Sequence, residues 1–317
     1  INTIKEDLEA LVDKRLHWTL LTLPILGIVI FTILPLVFMI CMAFTSYSKV
    51  GDHLTIFHWV GLKNFSTVLG MGNSIGKTFW SVLGWTLIWA VLATFLNYIL
   101  GMILAIVINR KTTRIKGFWR FCFMLSAAIP QFVSLLLMRT MLKDNGLVNN
   151  LLIQAGLISS PLPFLTNATW ARATVVIINL WVGIPFTMMQ VTGILQNIPG
   201  ELYEAARVDG AGPVTIFFKI TLPYMLFVTT PYLITTFTGN INNFNVIYLL
   251  TAGAPVPVGA TAGKTDLLVT WLYKLTVDLQ YFNVGAVVGI LTFVILAVVS
   301  LITYRNTGSY KNEEGFQ

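Results

Sequence analysis

The sequence predicts an all-α protein that crosses a membrane six times. Three observations carry that expectation: an apolar composition, long runs without charge, and basic residues gathered between those runs. Hydrophobic residues make up 56% of the 317 positions, charged residues 10%, and the mean hydropathy is +0.78. A soluble domain has roughly 45–50% apolar and 25% charged residues. The apolar residues here also lie in continuous stretches instead of alternating with polar ones at helix or strand period, so a soluble core does not account for them. Lipid is the expected solvent.

The uncharged stretches are residues 18–48, 78–109, 121–138, 173–200, 220–263 and 279–304. Each is long enough to cross a bilayer, since about 20 residues at 1.5 Å rise span the hydrocarbon. The fifth is too long for one crossing and turns rich in Gly, Ala and Pro after Thr251. It reads as helix to about Leu250, then an exposed loop. Pro24, Pro35, Pro130, Pro185 and Pro231 fall within the stretches. Prolines kink helices, and neighbouring helices in a membrane can satisfy the carbonyls they free.

The net charge of +7 and pI near 9.4 are read as membrane orientation and not as a nucleic-acid surface, because the cations flank the apolar runs. Arg110, Lys111, Arg114, Lys116 and Arg120 share one loop that holds no acid. Placing that loop inside puts both termini and residues 196–222 inside too. Those four segments hold 12 Lys and Arg against 7 in the outer loops, with Arg139 set apart near the outer end of the third span, where snorkelling explains it. The expected divisions are a cytoplasmic N-terminal segment at 1–17, a membrane domain at 18–304 with an inner loop at 196–222, and a cytoplasmic tail at 305–317. The chain starts at Ile1 without Met or a cleavable signal, and reads as a processed or partial form.

Residues 145–157 place Leu and Ile at helical spacing among polar residues, as in an interfacial helix. Cys41 and Cys122 lie in apolar runs and indicate packing, not a disulfide or a metal. His17, His53 and His58 lack metal-ligand spacing.

The inner loop is the most informative segment. Pro199 suits a first helical position, Glu201 and Glu204 favour the positive helix N-terminus, and Gly210 can end the helix in a left-handed conformation before Gly212 and Pro213 force a turn. Ile198, Leu202, Ala205, Ala206 and Val208 form a small apolar face. A helix of about ten residues is unstable alone in water, so either a partner or the loop's own packing must hold it.

Glu204-Ala205-Ala206, Gly210, Ile220 and Leu222-Pro223 fill every position of EAA-x3-G-x9-I-x-LP. This resembles the motif of ABC importer permeases. The flanking LYEAARVDGAGPVTIFFKITLP, FNVIYLLT and AGKTDLLVTWLYK resemble the carbohydrate branch, of the maltose and maltodextrin (MalF-like) type. The resemblance implies a six-helix type I importer permease fold and a coupling helix seated in an ATPase subunit. Glu204, Ala205, Ala206 and Gly210 would make that contact, with Arg207 and Asp209 beside them.

Polar residues at bilayer depth are costly. The fourth span carries Asn179, Trp181, Gly183, Phe186 and Gln190; the fifth carries Thr235, Thr236, Gly239, Asn240, Asn242, Asn243 and Asn245. Amides and hydroxyls beside rings suit a sugar, and they equally suit interhelical glue or caps; residue type leaves both open. The resemblance points to Asn179, Val182, Gly183, Phe186, Thr236, Gly239, Asn240 and Asn243 as the sugar site. Where Gly239 stands, the maltose-type pattern has an aromatic residue, which puts the sugar's identity and length in question.

The expected function is that of one permease subunit in the bacterial cell membrane, with both termini cytoplasmic, moving an oligosaccharide such as a maltodextrin. The implied partners are a second permease, two ABC ATPase subunits and an external sugar-binding protein. No Gly-rich phosphate loop ending in Lys-Ser/Thr is present, so ATP and Mg²⁺ are expected on the partner subunits and no cofactor on this chain. An acidic or phosphorylated sugar is the alternative cargo. A membrane-embedded enzyme lacks the clustered carboxylates or histidines it would need, and a passive channel would not need a docking loop.

Overall fold

The computed structural model describes residues 18, 20–49, 58–110 and 112–305. Among them the regular structure is helical, apart from one isolated bridge between Thr45 and Trp59. In chain order the helices are α1 (Leu20–Ala43), α2 (Lys63–Leu69), α3 (Ser74–Asn109), α4 (Lys116–Ala128), α5 (Gln131–Met141) and α6 (Leu147–Gln154). Then follow α7 (Ala168–Gln196), α8 (Gly200–Val208), α9 (Pro213–Ile241), α10 (Phe244–Leu250), α11 (Leu268–Tyr273) and α12 (Phe282–Arg305). Helices α1, α3, α7, α9 and α12 are each long and apolar enough to cross a membrane, and α4 with α5 supplies a sixth crossing when taken as one bent span.

That bend corrects the expectation of one continuous third helix. The axes of α4 and α5 differ by 83°. Ile129 and Pro130 are both extended between them, with ψ of 130° and 128°. Proline has no N–H to continue the ladder and disfavours helical geometry in the residue before it. Pro185 and Pro231, by contrast, stay inside α7 and α9.

The fifth crossing also ends earlier than expected. Helix α9 stops at Ile241, and the side chain of Asn243 accepts from Val246 N (3.3 Å) to start α10. The segment after Leu250 is not the exposed loop its composition implied. Residues 256–259 and Lys264 are exposed, while Thr251, Gly253, Ala262, Gly263, Thr265 and Asp266 are buried. The glycines make this possible: a Cβ on Gly253 would fall 2.1 Å from Asp266 Oδ1, and one on Gly263 would fall 1.8 Å from Gly253 O. Asp266 is fully buried and accepts from Gly263 N (2.7 Å), Thr270 Oγ1 (2.9 Å) and Lys274 Nζ (2.6 Å). Trp85 Nε1 donates to Thr265 O (3.2 Å), and Arg172, stacked over the Trp85 ring, donates to Lys264 O (2.9 Å).

Helix α6 forms where interfacial character was expected. Leu147 and Leu151 point outward one turn apart, and the buried Asn149 amide bonds Lys143 O, Leu162 O and Leu162 N. Cys41 and Cys122 are free and exposed at the bundle surface, so they are not the packed residues the sequence suggested.

Helices α3 and α7 cross closely in the middle of the bundle. A Cβ on Gly101 would sit 2.8 Å from Thr187 Cβ, and one on Gly183 would sit 2.7–2.9 Å from the Asn97 amide. Small residues let membrane helices approach until dispersion contacts add up. Toward the basic loop this crossing is filled by Tyr98, Met102, Ala105, Met188, Val191 and Met225. Toward the opposite end lie Trp85, Trp89, Leu135, Val175, Ile247 and Leu267. Helix α1 has no buried residue in its most apolar window, and α9 has 17%, so both present broad faces outward.

Two outcomes follow for stability. Gly101→Val or Gly183→Val should each destabilise by about 1–3 kcal/mol through overpacking, measured by unfolding of the detergent-solubilised protein. Lys274→Met strands a buried carboxylate and should cost about 3–5 kcal/mol, with the double change Asp266→Asn, Lys274→Met costing less. Wild-type melting of Lys274→Met would show that the pair does not hold the loop.

Candidate coupling loop and substrate path

Helix α8 starts and stops by ordinary capping chemistry. Pro199 takes the N-cap position, one residue before the expected first turn, with φ −56° and ψ 128°. Glu201 lies in the first turn and Arg207 in the last, each the charge favoured by the helix dipole. At the far end Asp209 N bonds Ala205 O (3.0 Å), Gly210 N bonds Arg207 O (3.0 Å) and Ala211 N bonds Ala206 O (2.8 Å). Gly210 has φ +75°, the left-handed conformation that glycine adopts without a Cβ penalty.

The apolar face expected from sequence divides in two. Ile198 is buried in the cluster with Ile108, Val191 and Met225, and Tyr203 and Ala206 are half-buried. Tyr203 Oη pairs with Thr221 Oγ1 (3.2 Å), tying α8 to the π-helical turn Phe217–Thr221 inside α9. Leu202, Glu204, Ala205, Arg207, Asp209 and Gly210 point outward, and Val208 is 88% exposed. Among the described residues no ion pair engages Glu201, Glu204, Arg207 or Asp209. The loop thus holds itself to the bundle by one face and leaves its other face and its charges uncommitted.

The basic loop lies at the same end of the bundle, where Ile108 of α3 and Ile198 before α8 share one cluster. Lys116 Nζ donates to Asn109 O (2.9 Å) at the end of α3, and Arg120 donates to Asn109 Oδ1. The Asn109 amide in turn donates to Ala105 O (2.7 Å) and Thr192 Oγ1 (3.1 Å), joining α3 to α7.

The eight candidate sugar residues fall on α7 and on α9 with the turn after it, and the structure uses them differently. Asn240 is buried, donates to Thr94 Oγ1 (3.0 Å) and accepts at its backbone oxygen from Trp89 Nε1 (3.1 Å). Asn243 donates to Asn240 Oδ1 (3.4 Å) and caps α10. These two amides are committed to glue and capping. Gly183 is held against Asn97 by the helix crossing. Asn179 is 7% exposed, and its amide has no protein partner among the described residues. Phe186 is 56% exposed, Val182 and Thr236 are half-buried, and Gly239 has open space where a Cβ would stand. Asn179, Val182, Phe186, Thr236 and Gly239 are therefore the ones left free to line a path.

Polar residues on α3 complete this interior and were not singled out from sequence. Thr94 lies within the π-helical turn Leu92–Leu96, Asn97 follows it, and Tyr98 Oη pairs with Thr229 Oγ1 (2.7 Å). Polar side chains inside the 78–109 apolar run were the available signal.

Comparison with known proteins places this arrangement. The family model described as "Binding-protein-dependent transport system inner membrane component" matches residues 97–307. The galactooligosaccharides transport system permease protein GanP of Bacillus subtilis is 36% identical over 99% of this chain and 75% of its own length. The maltodextrin transport system permease protein MdxF of the same organism is 36% identical over 99% and 74%. The maltose/maltodextrin permease MalF of Escherichia coli is 35% identical over 78% of this chain and 49% of its own length. Among solved structures, a chain from a bacterial ABC transporter for the acidic polysaccharide alginate superposes with a TM-score of 0.72 at 24% identity, covering 94% of this chain and 97% of that one. A multi-pass helical chain with this loop, this fold and these relatives belongs to the family of inner-membrane permease components of binding-protein-dependent ABC transport systems.

Proposed function

We propose that this permease forms half of the translocation path for a neutral oligosaccharide of the maltodextrin or galactooligosaccharide kind. The observation that carries the reading is the continuity between α8 and the path: the helix that docks outward is tied through Tyr203 and Thr221 to α9, the helix that bears Thr236 and Gly239. A second permease supplies the other half, and an external binding protein delivers the sugar at the end opposite the basic loop. The basic loop, α8 and both termini face the cytoplasm.

ATP and Mg²⁺ act on two partner ATPase subunits. Their closure pushes α8 through its exposed face, with Glu204, Arg207 and Asp209 free to pair and Ala205 small enough for close approach. The α8 displacement passes to α9 and to α7, whose C-terminal end at Gln196 leads through residues 197–199 into α8. The lining favours an uncharged cargo, since Asn179, Val182, Phe186, Thr236 and Gly239 include no cation for a carboxylate or phosphate. The names of the two Bacillus relatives support the same substrate class.

The test is ATP-dependent uptake by the assembled importer in vesicles. Glu204→Arg reverses the uncommitted charge, and Gly210→Pro imposes φ near −65° where +75° is required and removes an N–H donor. Each should lower maltotetraose uptake by about 5–150-fold, the range for losing roughly 1–3 kcal/mol of coupling. Wild-type uptake in both variants at equal permease abundance would sink the coupling assignment.

A further inference from the structure

Beyond the candidate sugar residues, a cavity of about 410 Å³ in total accessible space opens elsewhere in the bundle between the start of α3 and the loop before α11, but its lysines are exposed and shared with open surface. A smaller cavity of about 270 Å³ between α7 and α9 is better defined chemically. Gln190, Thr229 and Tyr232 bring polar atoms to it, and Val191, Ile194 and Val228 give it apolar walls.

Its position follows from helical register. Gln190 comes four residues after Phe186 on α7, and Tyr232 four residues before Thr236 on α9. Residues four apart share a helix face about 6 Å apart along the axis. The cavity therefore continues the face of the candidate sugar residues by one turn, toward α8 and the basic loop.

The hydrogen-bonding state of the three polar groups differs in a useful way. Thr229 is occupied, donating to Met225 O (2.6 Å) and pairing with Tyr98 Oη (2.7 Å). Tyr232 Oη has one long contact, 3.4 Å, to Thr187 Oγ1. The Gln190 amide is exposed and has no hydrogen bond among the described residues. An uncommitted amide can donate and accept at once, and a phenol ring offers a flat apolar face beside a polar tip. Those are the groups that bind a pyranose ring, whose hydroxyls need both donors and acceptors and whose C–H face packs on an aromatic ring.

We infer that Gln190 and Tyr232 form a second sugar subsite, one turn closer to the cytoplasm than the first, which holds a leading sugar ring during release. The inference rests on the oligosaccharide reading above. It gives the path two tiers: Asn179, Phe186 and Thr236 receive the sugar, and Gln190 and Tyr232 hand it on.

The test uses the complete importer, with both permeases, the ATPases and the binding protein, in vesicles and without nucleotide. Cys41 and Cys122 are first replaced by Ser so that a single reporter thiol remains on this chain. Reporters Val228→Cys and Ile194→Cys, on the apolar walls, read the inner tier, and Thr236→Cys reads the outer one. Maltotetraose at a few times its dissociation constant should slow thiol labelling at either inner reporter by about threefold or more, as mass action requires for an occupied site. Adding Tyr232→Leu should abolish protection at Ile194→Cys while protection at Thr236→Cys persists. Protection at Thr236→Cys with none at either inner reporter would overturn the second tier and leave the oligosaccharide reading standing. Sugar-independent shielding of both inner reporters would also overturn it, because a partner helix or lipid would then fill the cavity. Failure of the unmodified importer to accumulate maltotetraose would bring down both readings for this sugar.

Discussion

The close approach of α3 to α7 governs where the polar groups of the bundle interior can sit. Gly101 and Gly183 remove two side chains from the crossing, and Thr187 and Asn97 fill the space they leave. With the two helices this near, the π-helical turn at Leu92–Leu96 sets Thr94 beside Asn240 of α9. Tyr98, one residue past Asn97, pairs with Thr229 of the same helix. Three long helices are thus registered against each other, α3 to α7 by close packing and α3 to α9 by hydrogen bonds that stay inside the protein, as an apolar solvent demands.

The two ends of the bundle are finished by different means. At the basic end Asn109 gathers Lys116, Arg120 and Thr192 around the last turn of α3, and α8 rests on Ile198 and Tyr203. Few groups commit α8 to the bundle, and among the described residues its outer face carries charges without partners. At the opposite end the buried Asp266–Lys274 pair, the Trp85 indole and Arg172 fix the loop before α11 firmly against α3 and α7. A lightly attached helix at one end and a locked loop at the other suit a machine driven from the lightly attached side.

Much of this was legible in the residues. Composition and uncharged runs located the five long apolar helices and the segment that forms the bent α4–α5 pair, and proline, acid and glycine placement marked the ends of α8 to within one residue. What escaped were features decided by contacts between distant segments. The 83° bend at Pro130 could not be told from the tolerated prolines at 185 and 231, because the same residue type kinks, breaks or is absorbed according to its neighbours. The Gly- and Ala-rich run after Thr251 looked like an exposed loop, yet its small residues serve close packing around Asp266. Asparagines at 240 and 243 matched a sugar site by type, and geometry commits their amides to Thr94 and to a helix cap, while Asn179 keeps its hydrogen-bonding capacity.

The central claim is that α8 transmits the motion of a partner ATPase to the helices lining the sugar path. A structure of the assembled importer, determined with and without ATP, tests it most directly. The account predicts α8 seated in the ATPase with Glu204, Ala205 and Val208 covered, moving together with α9 between the two states. An α8 that faces solvent in the assembly, or stays fixed on the bundle while α9 moves, would contradict it.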